Sequence, residues 1–174
     1  EKTKRLNLTE EDFYKIISLK TGSLFKTAFL IGTLNSDADS KTIEQLKTLG
    51  MNIGILFQIK DDILDYTSKS IISGKSFGND IKEGKINFPL LISLNKMNVI
   101  EKRKVYKILR SKKTTTEEIY SIYDLIKKYK GIELAEVVVN RYYSESKTIL
   151  ANFEETIYQD VLKQLLDYLI ERKK

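Results

Sequence analysis

Phe57-Gln58-Ile59-Lys60-Asp61-Asp62-Ile63-Leu64-Asp65 closes a long apolar-periodic segment that reads as a helix. At about 100° per residue, Gln58, Asp61, Asp62 and Asp65 share one arc of roughly 100°. Three carboxylates therefore project from one face near the C-terminal end of that helix, where the backbone dipole is already negative. Each misplaced anion there costs on the order of 0.3–1 kcal/mol. Each like-charge pair at i,i+4 adds a few tenths more. Lys60 points to a different part of the helix and does not offset this. A multivalent cation would, and hard oxygen ligands favour Mg²⁺. Alone, the Asp string is read equally well as a solvated acidic face or as a metal grip. Gly54 lies on the same face one turn earlier, with Gly50 nearby, and small residues there leave space in front of the carboxylates. The face is polar where the helix is otherwise apolar (Ile53, Phe57, Ile63, Leu64), which predicts that it opens into a cavity.

Outward from this helix the pattern stays helical. Asp39 or Ser40 caps its start. Before it, Thr9-Glu10-Glu11-Asp12 resembles a capping box with Asp in place of Glu, and opens a helix to about Gly32. Pro89 suits the first turn of the next helix, to about Asn95. Further helices follow over about 99–109, from Thr115-Thr116-Glu117-Glu118 to a stop at Gly131, over about 132–152 and over about 155–170. Residues 68–86 lack helical periodicity and form the one sizeable loop. No segment sustains strand-type alternation, so the fold class is all-α.

Composition narrows the chemistry. With 174 residues the chain can bury one substantial core, so one domain is the default. It has no cysteine and no histidine. This excludes a Cys nucleophile, a Ser-His-Asp triad and a His/Cys zinc site. Electrostatic and Lewis-acid catalysis by carboxylates, lysines and hydroxyls is favoured instead. No apolar run is long enough to span a membrane. The net charge of +6 permits an anionic partner such as a diphosphate. A Lys-rich solvated surface explains it better than nucleic-acid binding, because the aromatics are spaced as core residues. No compact basic stripe stands out beyond Lys112-Lys113 and Lys127-Lys128. The chain starts at Glu1 without Met, which suggests a piece of a longer chain.

Two more constellations carry chemistry. Gly74-Lys75-Ser76-Phe77-Gly78-Asn79-Asp80-Ile81-Lys82-Glu83-Gly84-Lys85-Ile86-Asn87-Phe88-Pro89 follows the acidic helix. Its glycines let the backbone turn closely, Lys75, Lys82 and Lys85 bring positive charge, and Asp80 adds a carboxylate. Such a loop suits a diphosphate held by Mg²⁺ and Lys together; the bland alternative is a glycine-rich linker. Upstream, Lys20-Thr21-Gly22-Ser23-Leu24-Phe25 places a Lys-Thr-Gly run inside an apolar helix. There the lysine would reach a phosphate and the threonine hydroxyl would face a substrate. The Gly and Ser weaken local helical hydrogen bonding and predict a bend.

These three motifs, in this order, resemble those of the trans-isoprenyl diphosphate synthases, or polyprenyl synthetases. The resemblance covers about 12–94, with Asn87 standing where the family usually has Thr. It implies an all-α helical bundle of the isoprenoid synthase type. Residues 1–174 would be the C-terminal portion of a polyprenyl synthetase domain, with the N-terminal half, its first Asp motif and its isopentenyl-diphosphate-binding residues absent. The implied activity is Mg²⁺-dependent condensation of an allylic diphosphate with isopentenyl diphosphate. The fragment alone is then expected to be inactive, and the whole protein to be a homodimer. By the same resemblance Asp61, Asp62, Asp65 and Asp80 serve the metal, with Asp62 a ligand or an orienter of one. Lys20, Lys75 and Lys85 bind diphosphate, and Thr21 and Gln58 stabilise the allylic cation. Two other readings compete: a non-catalytic partner subunit of a heteromeric synthase, against which the intact second Asp motif argues, and a basic helical nucleic-acid-binding domain, which would not explain three ordered motifs.

Overall fold

The computed structural model describes residues 7–34, 36–67, 78–111 and 113–172. In order they form α1 (Glu10–Ile17), a π-helical turn (Ser18–Gly22), α2 (Ser23–Thr33), α3 (Ser40–Thr67), α4 (Asn79–Lys82), α5 (Phe88–Lys96), α6 (Val99–Leu109), α7 (Thr116–Lys128), α8 (Gly131–Leu150) and α9 (Ile157–Glu171). Among the described residues no strand occurs and no helix is long and apolar enough to cross a membrane.

Side chains set the helix starts. Thr9 and Asp12 bond reciprocally ahead of α1, so Asp does the work of the usual Glu. Full capping boxes, Asn98 with Glu101 and Thr115 with Glu118, open α6 and α7. Asn87 caps α5, and Pro89 sits in its first turn. At Lys130, not Gly131, the chain enters the left-handed region (φ 55°) that separates α7 from α8. Gly131 is instead needed for space, since a Cβ there would fall 2.4 Å from the Pro89 carbonyl oxygen.

The chain divides into two compact units. The first takes its described residues from 7–13 and 61–137. Its core includes Phe13, Ile63, Leu64, Tyr66, Ile81, Phe88, Leu90, Leu91, Val105, Ile119 and Ile122. Phe13 stacks on Phe88 with ring centroids 5.1 Å apart. The second unit takes residues from 14–60 and 138–172. Ile17, Leu49, Ile53, Leu56, Ile59, Val139, Leu150, Leu166 and Leu169 fill it. At roughly 1.5–3 kcal/mol for each fully buried aliphatic or aromatic side chain, burial of this kind is the main force holding each unit.

Candidate functional site

In the first unit, the end of α3 carries Asp61, Asp62, Asp65 and Tyr66. Asp62 and Asp65 are each 6% exposed, and Asp61 is half-buried. Buried carboxylates need donors, and the returning chain supplies them. Gly78 N–H donates to the Asp65 carbonyl (3.4 Å). Asn79 N–H donates to Asp65 Oδ1 (3.3 Å) and Asp80 N–H to Oδ2 (3.4 Å). Phe88 N–H donates to Asp62 Oδ2 (3.0 Å). Segment 78–88 is thus pinned at both ends to α3. These backbone donors offset part of the repulsion that the sequence alone assigns to a cation.

Two glycines make the segment possible. Gly78 (φ 67°) and Gly84 (φ 68°) lie in the left-handed region. A Cβ would also meet Ile119 Cγ2 at 2.4 Å in the first case and the Leu109 carbonyl oxygen at 2.6 Å in the second.

Between the pinned ends lies a polar chain. Tyr66 Oη donates to Asn87 Oδ1 (2.8 Å), which also accepts the Leu90 N–H (3.4 Å). Asn87 Nδ2 donates to Asp80 Oδ2 (3.1 Å). Tyr66 is 0% exposed and Asn87 4%. Burial pushes the Tyr66 phenol well above its ordinary pKa, and the Asp65 charge acts in the same sense. The phenol therefore stays protonated and remains a donor. Lys85 is ion-paired with Glu83. That bond raises the ammonium's pKa, and the charges of Glu83, Asp80 and Asp62 add to the effect. Lys85 is thus a fixed positive charge near the acidic segment.

The second unit holds the other motif residues. Ser18–Gly22 is a π-helical turn, an altered hydrogen-bond pattern at the Lys20-Thr21-Gly22 run where the sequence predicts a bend, and a form often found at functional positions. Lys20 is exposed. Thr21 Oγ1 donates to Gln58 Oε1 at 3.0 Å, so the pair inferred to face one substrate is hydrogen-bonded. The glycines on α3 have a different job from the one the sequence suggested. A Cβ on Gly54 would lie 2.6 Å from Gly22 Cα, and one on Gly50 2.9 Å from Lys26 Cα. They let α3 approach the π-turn and α2 rather than clear a space before the carboxylates. Lys75 lies outside the described residues.

Among the described residues no three acidic side chains gather as a ready-made metal cage. The donor set still fits a hard divalent cation. Such ions, Mg²⁺ above all, are commonly held by one or two carboxylates, with phosphate oxygens and water completing the shell. The roles of Tyr66 and Asn87 escaped the sequence. The available signal was Asn87 itself, at the position where the resemblance leads one to expect Thr.

The family model described as polyprenyl synthetase matches residues 1–126. The chain is 33% identical over 172 residues to a geranylgeranyl diphosphate synthase of Sulfolobus acidocaldarius, covering 98% of this chain and 52% of that protein. The solved geranylgeranyl pyrophosphate synthase from Bacteroides thetaiotaomicron superposes with a TM-score of 0.87 at 30% identity, over 98% of this chain and 56% of that one. A polyprenyl synthase from Caulobacter crescentus, solved with calcium and isoprenyl diphosphate, gives 0.86 at 27% identity, over 99% and 52%. The chain therefore spans about half the length of the relatives it matches. With the helical fold, the ordered motifs and the family model in agreement, this chain belongs to the polyprenyl synthetase family.

Proposed function

We propose that the protein containing this chain condenses an allylic diphosphate with isopentenyl diphosphate, releasing diphosphate and a longer prenyl diphosphate. The observation that supports this best is the docking of segment 78–88 on Asp62 and Asp65. It places two motifs separated in sequence, the acidic helix end and the Gly-Asn-Asp loop, in one polar cluster.

The cation in this reading is Mg²⁺, which when bound neutralises diphosphate charge and draws electrons from the allylic C–O bond. Asp61 and Asp80 offer carboxylate oxygens to it, and Asp65, each of whose oxygens accepts a backbone N–H, offers its remaining lone pairs. Asp62, committed through Oδ2 to the Phe88 N–H, orients the cluster and contributes through its remaining lone pairs. Lys20, Lys75 and Lys85 hold diphosphate oxygens by charge-assisted hydrogen bonds. Thr21 and Gln58 hold each other, leaving oxygen lone pairs to face positive charge on the allylic carbon. As that C–O bond breaks, the terminal alkene carbon of isopentenyl diphosphate bonds to the allylic carbon. A proton then leaves for the departing diphosphate. The assembly proposed is a homodimer, as in the family.

The test uses the full-length polypeptide with labelled isopentenyl diphosphate, an allylic diphosphate and Mg²⁺. Labelled prenyl product should form and should vanish with EDTA. Asp61→Ala should lower its rate by at least about a hundredfold, the scale set by losses at metal sites. Activity within a few-fold of wild type would overturn the metal role.

A further inference from the structure

Asn87 is 4% exposed, and its carboxamide is used from both ends. Oδ1 accepts from Tyr66 Oη and from the Leu90 N–H. Nδ2 donates to Asp80 Oδ2 at 3.1 Å. The oxygen is fixed twice over, by a buried phenol and by the first turn of α5, so the amide cannot flip without losing both bonds. Asp80 is only partly buried, and its backbone N–H is spent on Asp65. Among the described residues, the Asn87 amide is the donor that sets the direction of the Asp80 carboxylate.

We propose that Asn87 is a positioning residue for the cation–diphosphate site. Braced by Tyr66, it holds Asp80 Oδ2 so that Oδ1 is presented to the ligand. This rests on the function proposed above. A threonine at this position could cap α5, but its hydroxyl has a single proton and sits one bond closer to the backbone. It could not accept from Tyr66 and the Leu90 N–H while reaching Asp80 as the longer carboxamide does. Asn87 thus couples the buried phenol to the acidic segment in a way a threonine at this position could not.

Asn87→Asp is the discriminating variant. It keeps size, cap and the acceptor for Tyr66, and it replaces the donor facing Asp80 with a second anion. Calorimetric titration of the full-length protein with inorganic diphosphate in Mg²⁺ should show affinity reduced at least about tenfold, as when partners behind metal ligands are removed. The KM for Mg²⁺ should rise more than kcat falls. Binding within twofold of wild type would overturn the proposal. A second measurement holds even if Asn87→Asp fails to fold. In selectively ¹⁵N-Asn-labelled protein, Asp80→Ala should move the Asn87 side-chain amide proton upfield, and an unmoved signal would also overturn it. If wild type itself binds no Mg²⁺–diphosphate, the site assignment falls, and the purpose of the bridge with it. The amide shift reports the bridge separately.

Discussion

Asp62 Oδ2 accepts the backbone N–H of Phe88 across 26 residues of chain, at 3.0 Å and in a buried setting. A member of an acidic motif thereby closes a structural contact at the start of α5, and stability and activity should part company within the motif. Asp62→Ala strands a buried N–H and should cost about 1–3 kcal/mol in denaturant unfolding. Asp62→Asn keeps an acceptor and should cost less. Asp61→Ala, at a half-buried position, should cost less stability than Asp62→Ala while removing activity.

The glycines of the second unit predict opposite signs for one substitution. Gly54→Ala forces a methyl to 2.6 Å from Gly22 Cα and should destabilise by about 1–3 kcal/mol through overpacking. Gly32→Ala meets nothing within 4 Å. On a helix it should stabilise by up to about 1 kcal/mol. Thermal melts of the two variants side by side would check both signs.

Glu101 receives hydrogen bonds from Lys128 and Tyr129. These, with the Lys128 bond foremost, lower its carboxyl pKa from 4.5 to about 2. The folded state therefore binds fewer protons than the unfolded state between those values. The contribution to stability is complete above about pH 4.5 and is lost as pH falls through about 2. Glu101→Gln should flatten the fall in melting temperature between pH 5 and pH 2. An unchanged slope would contradict the assignment.

Thr21→Val removes the hydroxyl that holds Gln58. A bond of this kind contributes about 1 kcal/mol net, which corresponds to roughly fivefold in rate if it is fully expressed in the transition state. In the full-length protein kcat should fall on that order with substrate KM little changed. Thr21→Ser should recover most of the loss.

Most helix starts were legible because their signals are local. Thr9 with Asp12 and Thr115 with Glu118 place donor and acceptor three residues apart, and Pro89 needs only its own ring. Family resemblance implied one role for Thr21 and Gln58 but not their hydrogen bond, which joins residues 37 apart in the chain. The Asn87 hub and the Asp62 contact to Phe88 were not legible at all. Each depends on where the chain returns after leaving α3, which side-chain periodicity does not encode. Gly50 and Gly54 misled for a related reason. A small residue on a helix face reads as space, yet here another backbone fills it. At Gly131 the glycine suggested a helix stop, but the left-handed residue between the helices is Lys130, and Gly131 opens α8, where a Cβ would fall 2.4 Å from the Pro89 carbonyl oxygen.

The π-helical turn at Ser18–Gly22 accommodates more residues per revolution than the α-helices on either side. Deleting a single residue there would restore ordinary winding and swing everything upstream by about 100°. Ile17, buried in the second unit, would then face water instead of its core. This stretch should therefore accept changes of residue identity far more readily than a change in length. In homologous chains, gaps at this point should come paired with compensating insertions, or be absent.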